Sequence, residues 1–320
     1  MLSPMKSVVT GGAGFIGSHL VDELHARGDH VVVIDNFSTG QQRFLSSNAS
    51  SVLKFDLLDQ AVDLREHLEG ADRVFHLAAN ADVRFGWKDP SRDLNNNLLA
   101  TVRLAEAAKS AGVRRFIFSS TGAVYGEPQV FPTPEHAPFP VQTSLYGASK
   151  AAAEGFLAAF AQEGAFKVTV HRFVSVLGPR YMHGHVIDFV RQLMKDPRRL
   201  VVLGNGRQKK SYMHVADCVK GLVELEGSSD FEVFNLGADD YCSVIDSVTW
   251  ICDSLQVSPS VIYGTDDRGW IGDNPFTFLD ISRAIEHGWH PSWGIQAAIR
   301  NTATWLRDHP WVLEANDIRK

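Results

Sequence analysis

The run Val8-Val9-Thr10-Gly11-Gly12-Ala13-Gly14-Phe15-Ile16-Gly17 constrains the fold of this chain more than any other stretch. Apolar residues enter it, and a helical pattern of Ile16, Leu20 and Leu24 leaves it and stops at Gly28. That is strand, glycine turn, helix. Gly11 permits the tight exit from the strand, Gly14 leaves the backbone bare for a pyrophosphate, and Gly17 lets the helix lie close on the sheet. The helix N-terminus then offers unpaired N–H groups to phosphates. The spacing Gly-x-x-Gly-x-x-Gly is one residue wider than the usual dinucleotide fingerprint, and a glycine-rich turn with no ligand is the plain alternative. The strand before it and the helix after it favour a dinucleotide site.

Downstream, apolar strands alternate with helical stretches, which predicts a parallel, doubly wound α/β sheet. Strands are expected at His30–Asp35, Val52–Asp56, Arg73–Ala79, Arg114–Thr121 and Lys167–Phe173, with a helix over 90–111. Ligands of such sheets sit beyond the carboxyl ends of the strands, where Asp35, Ala79 and Thr121 fall. Asp35 is placed to accept both ribose hydroxyls of an adenosine and to repel a 2′-phosphate, favouring NAD over NADP; a strand-end cap is the alternative, and Arg43 is a cation that would rescue a 2′-phosphate. Asp56 and Leu57 fall where a carboxylate and an amide meet an adenine edge, and small residues after Leu77 let a flat cofactor pass. His76, inside an apolar strand, reads as a packed core histidine. Five prolines between 126 and 145 exclude a helix there.

Tyr146-Gly147-Ala148-Ser149-Lys150 opens an alanine-rich helix. Positions four apart share a helix face, so an ammonium near the phenol would lower the tyrosine pKa from about 10 toward neutrality and make a general base. Alone, such a pair is common on any helix. Beside the glycine turn and the strand-end hydroxyls Ser119, Ser120 and Thr121, it points to alcohol oxidation.

The composition narrows the partners. Of 320 residues, 44% are hydrophobic and 21% charged, with a net charge of −6, which suits an ordinary globular protein and argues against nucleic acid as partner. No run is long enough to span a bilayer and Met1 to Lys6 carry no secretory core, so a cytoplasmic setting with no membrane partner is expected. Cys218, Cys242 and Cys252 show no metal spacing, and no metal site is expected.

The motifs Thr10-Gly11-Gly12-Ala13-Gly14-Phe15-Ile16-Gly17, Asp35-Asn36-Phe37-Ser38-Thr39-Gly40, His76-Leu77-Ala78-Ala79, Ser119-Ser120-Thr121, Val124-Tyr125-Gly126 and Tyr146-Gly147-Ala148-Ser149-Lys150 together resemble the extended short-chain dehydrogenase/reductase superfamily, and within it the nucleotide-sugar epimerase/dehydratase family. The resemblance runs through most of the chain. It implies a Rossmann-type sheet with a smaller α/β substrate-binding domain, tightly held NAD, a nucleoside-diphosphate sugar as substrate, and a homodimer. It implies Thr121, Tyr146 and Lys150 as catalytic residues. Its cofactor contacts are Gly11, Gly14, Phe15, Ile16, Gly17, Asp35, Asn36, Ser38, Thr39, Gly40, Asp56, Leu57, Leu77, Ala78, Ala79, Asn97, Ser119 and Phe173, with Tyr146 and Lys150 again. The expected division is an NAD-binding domain of 1–173 plus about 209–238, interleaved with a nucleotide-sugar domain of 174–208 and 239–320.

Dehydratases of that family carry an Asp-Glu pair just before Val-Tyr-Gly, and the decarboxylases a Glu. Here those positions are Gly122 and Ala123, and neither moves a proton. What remains matches NAD-dependent epimerisation at C4 through a transient 4-keto sugar. The rivals are a dehydratase, decarboxylase or ketoreductase with its acid elsewhere, and a non-catalytic NAD-binding regulator. Substrate contacts are expected from Arg84, Thr121, Ser175, Lys210 and Arg268. The family usually has Asn at 175 and Arg at 210, so the diphosphate grip departs from the pattern; Lys keeps the charge and loses the fork. His183 and His185 sit in a loop with no assigned role. Ser243 and Asp246 predict a capping box for a helix to Leu255, and five tryptophans after residue 269 are expected in the small domain's core.

Overall fold

Strands apolar at successive positions bury both faces, and the first half of the chain is built that way. The computed structural model describes residues 4–45, 51–81, 83, 86–138, 141–270 and 273–315. The chain runs β1 (Lys6–Thr10), α1 (Phe15–Ala26), β2 (His30–Asp35), β3 (Ser51–Lys54), α2 (Leu64–Leu68), β4 (Arg73–His76), α3 (Pro90–Asp93), α4 (Ala100–Ser110) and β5 (Arg115–Thr121). Then come α5 (Leu145–Gln162), β6 (Lys167–Phe173), β7 (Ser175–Leu177), α6 (His185–Lys195), β8 (Arg199–Val202), β9 (Lys209–Lys210), β10 (Tyr212–His214), α7 (Val215–Glu224) and β11 (Phe231–Leu236). The chain ends with β12 (Cys242–Ser243), α8 (Val244–Leu255), β13 (Ser260–Tyr263), β14 (Phe276–Thr277), α9 (Ser282–Glu286), α10 (Ile295–Asp308) and α11 (Trp311–Ala315).

Seven strands form one sheet in the order β11-β6-β5-β4-β1-β2-β3, with every pairing parallel. The order reverses between β1 and β4, and a crevice opens there at the carboxyl ends. Adjacent residues of β1 serve opposite faces: Val9 packs in one core with Leu20 and Leu24 of α1, and Val8 in the other with Leu104 of α4 and Leu157 of α5. Three small sheets, β10-β7, β12-β9-β14 and β13-β8, belong to the second half.

The expected helix over 90–111 is interrupted by a π-helical stretch at Leu94–Leu99. The extra residue turns Asn97 inward, and Thr101 Oγ1 donates to the Asn97 carbonyl at 2.6 Å. Several strands stop short of the apolar runs that suggest them: β4 ends at His76 because Leu77 and Ala78 already bend toward the glycine turn. Ser243 and Asp246 form the expected capping box on α8. The late tryptophans divide their duties. Trp289 is fully buried and donates to the Asp217 carbonyl at 3.0 Å, Trp270 is exposed, and Trp305 and Trp311 reach back to Phe44 of the first half, with centroids at 6.4 and 5.7 Å.

His76 is a core histidine, fully buried between the hydroxyls of Thr10 (2.7 Å) and Thr101 (2.9 Å). His171 is equally buried on β6. Burial pushes His76 down to about 3 and His171 down to about 4. The unfolded chain, with histidines near 6.5, binds more protons than the fold below that pH, so stability falls as pH drops from about 6.5 to about 4, by up to about 1.4 kcal/mol per pH unit for each residue. Urea midpoints at pH 7, 5.5 and 4.5 should fall in that order, and His171→Phe should flatten the trend.

Candidate active site

The glycine turn is where two strand ends meet. Gly11 adopts φ +70°, and a Cβ there would stand 2.6 Å from the Ala78 nitrogen, so the turn lies flat against the backbone of Leu77 and Ala78. A Cβ on Gly17 would stand 2.2 Å from the Gly11 carbonyl oxygen. Its bareness therefore lets α1 close onto the turn itself, a contact tighter than the helix-to-sheet approach expected. Gly14 is the N-cap of α1 with no side chain to satisfy the helix, and the first turn carries no acid. The orphan amides of Phe15 and Ile16 are thus left for an anion.

Asp35, buried at the end of β2, accepts from the Ala13 amide at 2.9 Å and the Phe37 amide at 2.8 Å. Both readings of this residue meet here: it ties the strand end to the glycine turn, and carboxylate oxygens keep further lone pairs for hydroxyl donors. Burial raises its pKa, and those two amides oppose the rise. A Cβ on Gly40 would stand 2.8 Å from Asp35 Oδ1, so Gly40 leaves the room that the carboxylate occupies. Asn36 donates to Asp56 Oδ2 at 2.7 Å and accepts from the Ser38 amide at 2.9 Å, while Asp56 Oδ1 accepts from Leu58 at 2.8 Å. Leu57 is buried beside them, and Thr39 lies on the same loop as Ser38. The Arg43 guanidinium stacks 4.0 Å from the Trp311 ring centroid. The cation weighed as a 2′-phosphate partner is thus engaged with the last helix. A bare helix N-terminus, a backbone-to-backbone crevice and a carboxylate at the end of β2 suit NAD.

At the end of β5, the Thr121 hydroxyl accepts from the Ala123 amide at 3.1 Å and hydrogen-bonds the Tyr146 phenol. The Ser144 hydroxyl caps α5 by accepting from the Gly147 amide, which sets Tyr146 in the first turn of the helix. Lys150 Nζ donates to the Ser119 carbonyl at 2.8 Å, and the Ser119 hydroxyl donates to the His76 carbonyl at 2.9 Å. Asn97 accepts from the Asn80 amide (2.8 Å) and donates to Asp93 Oδ1 (3.2 Å) and Ser149 Oγ (3.0 Å), locking the segment after Ala79 to α5. Phe173 pairs with Thr121 in register.

One expectation is overturned. Burial, with the Asp93 charge adding to it, pushes Tyr146 up to about 12, and only the Thr121 hydrogen bond opposes this. The lysine does not lower the phenol pKa in this arrangement, because its ammonium is drawn to the strand carbonyl. Lys150 itself is pushed down to about 7 by burial.

The expected substrate cations converge on Asp273. Lys210 Nζ donates to Asp273 Oδ1 and to the Asn274 carbonyl, both at 2.6 Å; Arg268 donates to the Asp273 carbonyl at 2.9 Å and to Glu127 at 2.6 Å. Asn274 also donates to the Gly126 carbonyl at 2.6 Å. Lys210 and Arg268 are thus held by carboxylates as well as placed near one another. Ser175 is exposed on β7 and pairs in register with Tyr212, two residues from Lys210. Arg84 lies outside the described residues. His185 bonds Ser247 Oγ at 2.8 Å, and His183 stacks on Tyr181 at 6.2 Å. Among the described residues no group of three His, Cys, Asp or Glu side chains could hold a metal ion, and no helix is long and apolar enough to cross a membrane. Glu127, Asn80 and Asp93 escape a reading of the sequence, because each takes its meaning from a partner elsewhere along the chain.

The chain matches the NAD dependent epimerase/dehydratase family over residues 7–237. It belongs to that family. NAD is the family's cofactor. A UDP-glucose 4-epimerase of Mycolicibacterium smegmatis is 33% identical over 95% of this chain and 99% of that protein. UDP-glucuronic acid decarboxylase 1 of Arabidopsis thaliana is 33% identical over 90% of this chain and 66% of that protein. The solved UDP-glucose 4-epimerase of Thermotoga maritima with UDP-glucose superposes with a TM-score of 0.87 at 33% identity, covering 96% of this chain and 100% of that one.

The close contacts of the glycine turn have a measurable consequence. Gly17→Ala forces a methyl into the Gly11 carbonyl, and overpacking of this kind costs about 1–3 kcal/mol. The variant should unfold at lower urea than the parent and bind NAD more weakly, read by calorimetry.

Proposed function

We propose that this member of the family epimerises a UDP-sugar at C4. The carrying observation is Tyr146 hydrogen-bonded to Thr121 with Lys150 one turn away, at a strand end where Gly122 and Ala123 offer no carboxylate. Bound NAD supplies reversible hydride transfer at one carbinol carbon. Gly11 to Gly17 would hold its phosphates, Asp35 its adenosine ribose, and Lys150 the ribose at the reacting end. Tyr146 takes the proton of the sugar 4-hydroxyl and later returns one to the 4-keto oxygen, while Thr121 hydrogen-bonds that oxygen. Protonated Lys150 is the chain's own positive charge near the phenol, and it favours phenolate when its ammonium turns that way.

Several features support C4 epimerisation over loss of water or carbon dioxide. The residues directly after Thr121 carry no acid, although decarboxylases stand among the relatives. The carboxylate whose charge is felt at Tyr146 is Asp93, and its Oδ1 is occupied by Asn80 (2.7 Å) and Asn97. In this reading residues 1–173 with 209–238 hold NAD, and residues 174–208 with 239–320 hold the nucleotide sugar. Lys210 and Arg268 exchange Asp273 and Glu127 for the diphosphate, which serves as the pivot while the keto sugar turns over. UDP is favoured because the solved relative from Thermotoga maritima carries UDP-glucose.

Incubation with UDP-glucose, UDP-galactose and UDP-glucuronic acid, followed by mass and NMR analysis, should give a product of unchanged mass inverted at C4. A product lighter by water or carbon dioxide refutes the reading. General-base assistance is worth about 10²–10⁴-fold, so Tyr146→Phe should lower kcat by that order with NAD binding retained. Lys210→Ala and Arg268→Ala should weaken UDP-sugar binding, measured by calorimetry, while NAD binding stays near that of the parent.

A further inference from the structure

Lys150 is 2% exposed, which is deep for an ammonium group. Among the described residues it meets two neutral groups: the Ser119 carbonyl at 2.8 Å and the Phe118 ring, with the ring centroid at 4.5 Å. Neither replaces the hydration of a full charge. One turn further along α5 stands Glu154, also buried, on the helix face shared by Tyr146 and Lys150. Its carboxylate receives Arg172 of β6 through Nε, at 3.1 and 3.2 Å, and through Nη2 at 2.6 Å. It also receives the hydroxyl of Ser120. Arg172 is steadied in turn by the Tyr125 hydroxyl at 2.7 Å and the Glu135 carbonyl at 3.0 Å.

The placement of Ser120 matters. It lies between Ser119, whose carbonyl receives Lys150, and Thr121, which bonds Tyr146. Residues 146, 150 and 154 of the helix therefore meet residues 121, 119 and 120 of the strand. We propose that Glu154 is a positioning residue for this site: anchored by Arg172 and Ser120, it keeps Lys150 charged and holds α5 against β5 in the register that brings Tyr146 to Thr121. The inference rests on the reading of Tyr146 and Lys150 as the reacting pair.

The charged and titratable surroundings agree. Burial lowers Lys150, and Glu154 is the group that opposes the fall. From β4, His76 faces the lysine as a neutral ring. From β6, the positive charge of Arg172 is compensated by Glu154 itself. From α3, Asp93 acts on Tyr146. Loss of the Glu154 charge has two effects of one sign: it removes an anion near Lys150 and strands a buried cation at Arg172. Both favour the neutral amine.

The test is the titration of Lys150 by NMR of the NAD-loaded protein carrying ¹³C at lysine Cε, with the resonance assigned by its loss in Lys150→Arg. In Glu154→Gln the midpoint should fall by about one pH unit or more, and Glu154→Asp should restore it to within a few tenths of the parent. If Glu154→Gln does not fold because Arg172 is stranded, the double variant Glu154→Leu, Arg172→Leu removes the pair together, and a smaller fall in the same direction is expected, because no cation is left stranded. An unchanged midpoint in the folded Glu154→Gln or double variant overturns the proposal, as does a Glu154→Asp midpoint as low as that of Glu154→Gln. No sugar is added, so the result stands apart from whether C4 epimerisation is the reaction.

Discussion

The site depends on how closely two backbones approach each other. At the reversal point of the sheet, the turn after β1 lies on the start of the segment after β4 with no room for a side chain at Gly11. That approach puts the uncapped N-terminus of α1 at the mouth of the crevice, and it brings the strand-end residues of β2, β4 and β5 along one edge. Thr10 links the layers: its hydroxyl bonds His76 at 2.7 Å and receives the Ala78 amide at 3.3 Å. A core histidine thereby supports the geometry of the strand-end edge.

Polar groups buried under that edge supply the second constraint. Asn97 could have pointed to solvent from an ordinary helix, and the π-helical stretch turns it inward to bridge Asn80, Asp93 and Ser149. Glu154 and Arg172 perform a similar service one layer deeper. Pairs of this kind are poor sources of stability when compared with apolar packing, while removal of one partner leaves an uncompensated buried charge.

The parallel sheet is legible from the chain because its signals are local. Apolar runs, a glycine spacing and a Tyr-x-x-x-Lys pattern each fall within one element, and His76 and the Ser243 cap are read from their immediate neighbours. Pairing across distance is not legible in this way. Asp273 takes Lys210 from 63 positions away and Glu127 takes Arg268 from 141 away, so two cations that look available in the sequence are held in the fold. The phenol of Tyr146 departs from expectation for the same reason: the carbonyl that draws Lys150 away belongs to another element. One local signal does exist for the deeper pair. Glu154 is the lone acid in an alanine-rich helix stretch, one turn after the lysine.

The contact of Trp305 and Trp311 with Phe44, and the stack of Arg43 on Trp311, join the end of the chain to the loop after β2. The order of synthesis gives this closure a meaning. The strands and turns of the first half emerge from the ribosome long before the residues that cover Phe44. Until α10 and α11 arrive, Phe44 lacks the indole rings of Trp305 and Trp311 that pack on it. The loop after β2 therefore gains its aromatic cover only once α10 and α11 have packed against it.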